Sequence, residues 1–187
     1  MLTNETLKVI KERRSIRHYK EEQIKDAELQ AVLEAGLYAP NAGGQALHFT
    51  VIQRKETLDK INYLAKENLK SHVVEDLKAL GNDVNYHGLY EAPTLIIISG
   101  RKEFIPLEFD CAAATQNMLL AAESIGLGSC WVYFPMFAFD STQAGDLLKE
   151  LKIPMGYSPY CSLILGYKEG SAVDTAERKL NPITFIK

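Results

Sequence analysis

Two short stretches hold residues whose types and spacing could do chemistry. The first is Arg13-Arg14-Ser15-Ile16-Arg17, where three guanidiniums surround a hydroxyl. Guanidinium forks match phosphate oxygens in pairs, and a serine hydroxyl adds another donor. The same residues suit a solvated helix end, where cations offset the partial negative charge of the last carbonyls. Charge pattern alone favours that second reading. The other stretch is Pro40-Asn41-Ala42-Gly43-Gly44-Gln45. Its glycines let backbone groups approach a ligand, and Asn41 and Gln45 can donate and accept along a heterocycle edge. By itself it reads first as an ordinary turn between a helix and a strand. It has neither the Gly-x-Gly-x-x-Gly spacing of a dinucleotide-binding turn nor the Gly-x-x-x-x-Gly-Lys of a P-loop.

Other polar groups carry weaker signals. Gln116 and Asn117 interrupt an otherwise apolar helical stretch and are expected to hydrogen-bond a neighbouring helix. Cys130 has no basic neighbour in sequence and reads as a buried structural thiol. Arg178 and Lys179, near the end of the chain, read as solvated cations.

The bulk numbers set bounds. The chain has 187 residues, 47% hydrophobic and 24% charged, which suits one domain covering 1–187 with a core of its own. Its net charge of −3 argues against a nucleic-acid binder. The cysteines Cys111, Cys130 and Cys161 are far apart and fit a reducing cytoplasm better than a disulfide framework. The histidines His18, His48, His72 and His87 do not pair at metal-ligand spacing, so no metal is expected. The opening MLTNETLKVIKERR lacks the apolar run of a signal peptide, and no apolar run approaches a membrane span.

Periodicity predicts the elements that must position these groups. A first helix is expected over about 4–12, capped by Thr3, with Leu7 and Ile10 inward. A second begins with Asp26 and Glu28 in its first turn and ends before Pro40. Strands are expected over 48–53, 94–99, 130–134 and 160–167, the second buried on both faces. Further helices are expected over 56–70, 106–126 and 141–151, the last capped by Asp140 or Ser141. The alanine-rich 106–126 helix would allow another helix to approach closely. Residues 71–91 read as an excursion over a site. The tail from Lys168 ends in Ile183-Thr184-Phe185-Ile186, a segment that a partner subunit could dock. Interspersed helices and strands predict a layered α/β or α+β sandwich, and periodicity does not separate the two.

In order along the chain, these segments resemble the nitroreductase family of FMN-dependent NAD(P)H oxidoreductases. Arg13-Arg14-Ser15-Ile16-Arg17 is similar to that family's opening phosphate-binding signature. Ala39-Pro40-Asn41-Ala42-Gly43-Gly44-Gln45 with His48-Phe49 resembles its flavin loop, although the loop after Gly44 is one residue short and Ala46-Leu47 stands where the family has Gln-Pro-Trp. Ala112 to Ala122, with Gln116-Asn117-Met118-Leu119-Leu120, resembles its central dimer helix. Gly126-Leu127-Gly128-Ser129-Cys130-Trp131 resembles the turn into the strand behind the flavin, and 151–167 its closing strand.

The resemblance implies an α+β sandwich, a mainly antiparallel central sheet flanked by helices, in a homodimer with FMN at the interface. It implies that Arg13, Arg14, Ser15 and Arg17 hold the phosphate and ribityl chain, with Arg178 and Lys179 as a second pair of cations. It implies that Pro40, Asn41, Ala42 and Gln45 line the flavin from the partner subunit. Trp131, Val132 and Tyr133 would pack on its other side, and Asn68, or else Asn62, would contact the ring. Electrons would pass from NADH or NADPH through FMN to a small planar acceptor such as a nitroaromatic or quinone, in ping-pong order. No side chain would act as a nucleophile. Reductive dehalogenation, flavin fragmentation and non-catalytic flavin binding remain open on the same scaffold.

Overall fold

The computed structural model describes residues 2–42, 44–101, 107–170 and 183–186. Helix α1 (Glu5–Glu12) and helix α2 (Asp26–Leu37) precede strand β1 (Leu47–Ile52). Helix α3 (Lys55–Leu69), helix α4 (Glu75–Asn82) and strand β2 (Thr94–Arg101) follow, then the long helix α5 (Leu107–Ser124). Strand β3 (Leu127–Trp131), helix α6 (Met136–Phe139), helix α7 (Ala144–Glu150) and strand β4 (Tyr157–Tyr167) complete the order. The strands form one antiparallel sheet ordered β1-β2-β4-β3. The architecture is therefore α+β with a central antiparallel sheet flanked by helices.

Both faces of the sheet are covered, as the apolar 94–99 run requires. Leu95 and Ile97 of β2 and Ile164 of β4 point to one side, against α3 residues such as Leu58, Ile61 and Ala65. Ile96, Ile98, Leu163 and Leu165 point to the other, against Val32 of α2 and Met118 and Ala122 of α5. Full burial of each such side chain contributes about 1.5–3 kcal/mol, so β2 and β4 anchor both layers. Helices α2 and α5 come close because Gly36 has no side chain. A Cβ there would lie 2.2 Å from the Met118 terminal methyl carbon. Across the same contact Asn117 Nδ2 donates to the Ala35 carbonyl at 3.1 Å, the helix-to-helix role expected of it, while Gln116 is exposed.

Several local expectations are corrected. Asn4, not Thr3, caps α1, because its carboxamide oxygen reaches the Leu7 N–H at 2.9 Å. Ile10 is 49% exposed, while Leu7 and Val9 are half-buried, because α1 lies at the margin and packs mainly against α5. Strand β3 starts three residues earlier than expected. Gly126, at φ +84, turns the chain out of α5 directly into it, and the chain leaves it again before Pro135, which has no N–H to give a ladder. The expected 141–151 helix is α7 alone. Its N-cap position is Gln143, without a capping side chain, and the short α6 precedes it. Residues 71–91 are not an irregular excursion throughout: they contain α4, whose Leu77 and Leu80 pack against the core beside α3, while Tyr90 at their end does reach Arg17.

Two contacts tie the layers together and can be tested. Glu28 accepts from the Lys25 N–H at 2.9 Å and from the Tyr167 hydroxyl at 2.6 Å, joining the start of α2 to the end of β4. The Tyr167 hydroxyl, then the Lys25 N–H, hold its carboxyl below the ordinary glutamate value of 4.5. Its contribution is thus present above that value and lost as pH falls through the lowered one. Melting temperature measured from about pH 7 to about pH 3 should fall less steeply at the acid end for Glu28→Gln than for wild type; parallel curves would contradict the assignment. The second contact is Gly88, whose N–H donates to Asn62 Oδ1 at 2.9 Å. A Cβ at Gly88 would lie 2.1 Å from the Phe134 ring. Gly88→Ala should therefore cost about 1–3 kcal/mol in a denaturant titration.

Candidate functional site

The arginine segment is fixed by backbone bonds before its side chains do anything. The Arg13 N–H donates to the Val9 carbonyl at 2.9 Å and closes α1. Ser15 then bridges Ser129 of β3 in parallel, and the Ile16 N–H donates to the Ser129 carbonyl at 3.0 Å. Further on, the Lys20 N–H donates to the Tyr167 carbonyl at 3.0 Å, and the Glu169 N–H to the His18 carbonyl at 3.1 Å. The buried Tyr19 hydroxyl donates to the Ile16 carbonyl and locks the turn between them. The segment thus lies against the free edge of β3 and the end of β4.

The three guanidiniums then divide the two readings between them. Arg14 Nη1 donates to the Lys11 carbonyl at 2.7 Å and the Arg13 carbonyl at 2.8 Å. That is the helix-end role, satisfying carbonyls at the close of α1. Arg17 is exposed and sits over the Tyr90 ring, its Cζ 5.6 Å from the centroid. Arg13 is different: its Nη1 is buried and meets no hydrogen-bond acceptor among the described residues. A buried unpaired donor costs about 1–3 kcal/mol, more when charged. An anion's oxygens would remove that cost, and the donor set fits a phosphate.

The thiol of Cys130 lies behind this segment, 1% exposed. Burial pushes it up, while Arg17, the Ser15 hydroxyl and Arg13 pull the other way. The expectation of a buried thiol holds, and although no basic residue adjoins Cys130 in sequence, Arg17 and Arg13 act on it in space. The arginines reach Cys130 through strand pairing, which local sequence does not show. Beyond Cys130, Trp131 is 39% exposed, Val132 is buried and Tyr133 is 60% exposed. The Val132 N–H donates to the Ser162 carbonyl at 3.0 Å, which fixes the chain as it leaves β3.

Aromatic groups unmarked in the sequence join this place. Tyr90, under Arg17, meets Tyr86 edge to face with ring centroids 6.4 Å apart, and Tyr86 meets Phe134 at 5.4 Å. Burial, with Tyr90 adding to it, pushes the Tyr86 phenol up to about 12. Asn62 holds the Gly88 N–H and so serves the segment that presents Tyr90. Asn68 is half-buried near the end of α3, and its carbonyl accepts from Ser71 Oγ at 3.3 Å. Arg178 and Lys179 lie outside the described residues.

The loop from Pro40 to Gln45 is elsewhere. It leads into Leu47, which pairs with Gly100 at the far end of β2. Ser129, beside Ser15, pairs with Leu165, which pairs with Thr94 at the near end of β2. Strand spacings of about 4.8 Å and a rise of about 3.3 Å per residue then separate Leu47 from Ser129 by roughly 25 Å across the sheet. A cavity of about 530 Å³ opens beside the loop, with Tyr38, Asn41, Gln45, Leu47 and Phe49 in its lining. Gly44 and Gln45 are left-handed, at φ +77 and +46. The Ala42 N–H is already taken, since it donates to Asp110 Oδ2 at 3.0 Å. Ala42 is left with its methyl and carbonyl to offer a ligand. Asp110 was not visible as a partner in the sequence, because 68 positions separate the two.

Among the described residues, no group of His, Cys, Asp and Glu is arranged to hold a metal ion, and no helix is long and apolar enough to cross a membrane.

Comparison with known proteins bears on the family and the fold. The profile of the Nitroreductase family matches residues 10–167. A chain from Archaeoglobus fulgidus, provisionally named NADH dehydrogenase/NAD(P)H nitroreductase, is 31% identical over 95% of this chain and 94% of its own length. The crystal structure of a nitroreductase with bound FMN from Bacteroides fragilis is 35% identical and superposes with a TM-score of 0.93, covering 99% of this chain and 100% of that one. Another, also with bound FMN, from Desulfitobacterium hafniense is 29% identical with a TM-score of 0.91, and both chains are covered completely. Residues 10–167 hold both the arginine segment pinned to β3 and the loop clamped by α5, and over that span the chain belongs to the nitroreductase family.

Proposed function

We propose that this chain, as one domain, is an FMN-dependent oxidoreductase that takes electrons from NADH or NADPH and gives them to a small planar acceptor such as a nitroaromatic or quinone. The observation that carries this reading is Arg13 Nη1, a buried cationic donor with no acceptor among the described residues, set beside Ser15 and Arg17 at the edge of β3. Bound FMN supplies the redox chemistry, accepting a hydride and releasing electrons to the acceptor.

The chain's own residues do the rest. Arg13, Ser15 and Arg17 hold the phosphate end, with Arg14 fixing the close of α1 beneath it. By the resemblance alone, Arg178 and Lys179 would add a second pair of cations for the phosphate. Trp131, Val132 and Tyr133 form the wall at the end of β3, and Asn68 meets the ring. The exposed Tyr133 is placed to flank a planar acceptor. Donor and acceptor use one slot in turn, which gives ping-pong order.

The distance of roughly 25 Å between the two halves of the site supports a homodimer. In it Pro40, Asn41, Ala42 and Gln45 of one copy complete the site of the other. Leu37 and Tyr38, 69% and 79% exposed beside that loop, would be covered there. A cytoplasmic location is supported by three free, buried cysteines, which suit a reducing compartment.

The purified protein should be yellow, bleach with NADH or NADPH without oxygen, and recover its colour with menadione or nitrofurazone. A colourless protein that cannot be reconstituted with FMN overturns the reading. Turnover of halotyrosine alone would point to dehalogenation, and slow NAD(P)H oxidation with every acceptor to a non-catalytic flavoprotein. Arg13→Ala should weaken FMN binding about tenfold to 100-fold, the worth of a charge-assisted bond, without lowering the melting temperature of the FMN-free protein. Arg17→Ala should act the same way, because an exposed arginine contributes little to stability. Unchanged FMN affinity in both variants would assign the segment to the helix end alone.

A further inference from the structure

We propose that Asp110 is a positioning residue that aims the 40–45 loop, so that Asn41 and Gln45 rather than the Ala42 backbone face the flavin. The inference rests on the function proposed above. Asp110 lies in the first turn of α5 and is only 8% exposed. Aspartates are seldom buried without a reason, because removing a carboxylate from water is costly unless it is hydrogen-bonded. Here Oδ2 accepts from the Ala42 N–H at 3.0 Å. The start of α5 also favours a negative charge at that place through the helix dipole. Both effects hold the carboxylate where it can grip the loop.

The grip has a geometric consequence. At the other end of the loop the Arg101 N–H donates to the Ala46 carbonyl at 3.2 Å. The loop is thus tethered at Ala42 to α5 and at Ala46 to the end of β2. Between the tethers Gly44 and Gln45 adopt left-handed backbone, and for Gln45 that conformation costs about 1–2 kcal/mol. Such a conformation persists only where its surroundings impose it. The Ala42 N–H is consumed by this contact, and Asn41 and Gln45 line the adjoining cavity. Asp110 therefore chooses which loop groups a flavin held by a second copy would meet. In the proposed dimer it acts across the interface, since the loop serves the partner's site.

Amide exchange at Ala42, read by NMR, tests the clamp directly in wild type, Asp110→Ala and Asp110→Asn. Exchange should be roughly 100-fold faster in Asp110→Ala. In the FMN-loaded dimer, FMN affinity should stay within about threefold, because the phosphate end is untouched, while the KM for menadione rises about tenfold and kcat changes little. The visible flavin band should shift in the same variant. Asp110→Asn keeps one acceptor oxygen of the same reach and should recover most of both effects. Unchanged exchange at Ala42 overturns the clamp. Faster exchange with wild-type KM and flavin band overturns the positioning role. So does a loss of melting temperature and FMN content that Asp110→Asn does not rescue, which would mark a purely structural aspartate. A wild-type protein that takes up no FMN overturns the function proposed above instead, and shows this before any variant is compared.

Discussion

The pairing of the 15–20 segment with the sheet is the constraint on which the rest of the site depends. Ile16 donates to Ser129 and Lys20 to Tyr167, while His18 accepts from Glu169. Side chains alone would not hold three arginines together, because their charges repel and their long stems lose rotamer freedom when ordered. Backbone bonds to a rigid edge supply that order without using the guanidiniums. The segment also covers part of the β3 edge, which would otherwise expose unpaired backbone groups. One arrangement thus protects a sheet edge and concentrates positive charge.

Rigidity at that edge comes from the core beneath it. Strands β2 and β4 carry apolar side chains on both faces, and each layer of helices packs against one face. Strand β3 pairs with β4, so its Ser129 and Cys130 inherit a fixed position. The same pairing sets Cys130 against the arginines without making it reactive, since burial outweighs the pull of the nearby charges. The aromatic contacts Arg17–Tyr90, Tyr90–Tyr86 and Tyr86–Phe134 then join the 86–90 segment to the chain just beyond β3.

The opposite corner of the sheet follows a different logic. There a loop with left-handed backbone at Gly44 and Gln45 is held by a buried carboxylate at one end and by a strand end at the other. The tethers engage the Ala42 N–H and the Ala46 carbonyl, and Asn41 and Gln45 line the adjoining cavity. Such tethering is typical of sites in which a rigid scaffold positions a connecting segment. The distance between the two corners gives the proposed second copy its purpose, because one chain cannot bring them to the same small molecule.

The sequence by itself determined the elements with strong periodicity or composition. The apolar run at Leu95–Ile98 required a strand covered on both faces, and the alanine-rich stretch after Leu107 required a long helix with a close neighbour. It also carried the arginine segment and the Pro40–Gln45 loop as recognisable residue sets, and their order along the chain carried the resemblance to the family. Boundaries set by caps and turns were less legible. Asn4 displaced Thr3, and β3 began at Leu127, because one side-chain reach or one positive φ decides such limits. What only the tertiary structure decided was how the guanidiniums divide their work and which groups surround them. Arg14 closes its own helix, Arg13 Nη1 is buried without an acceptor among the described residues, Tyr90 and Cys130 come beside Arg17, and Asp110 holds Ala42. Each of these pairings except Arg14's joins positions far apart in the chain. Local propensity carries no information about such contacts; strand register and helix packing create them.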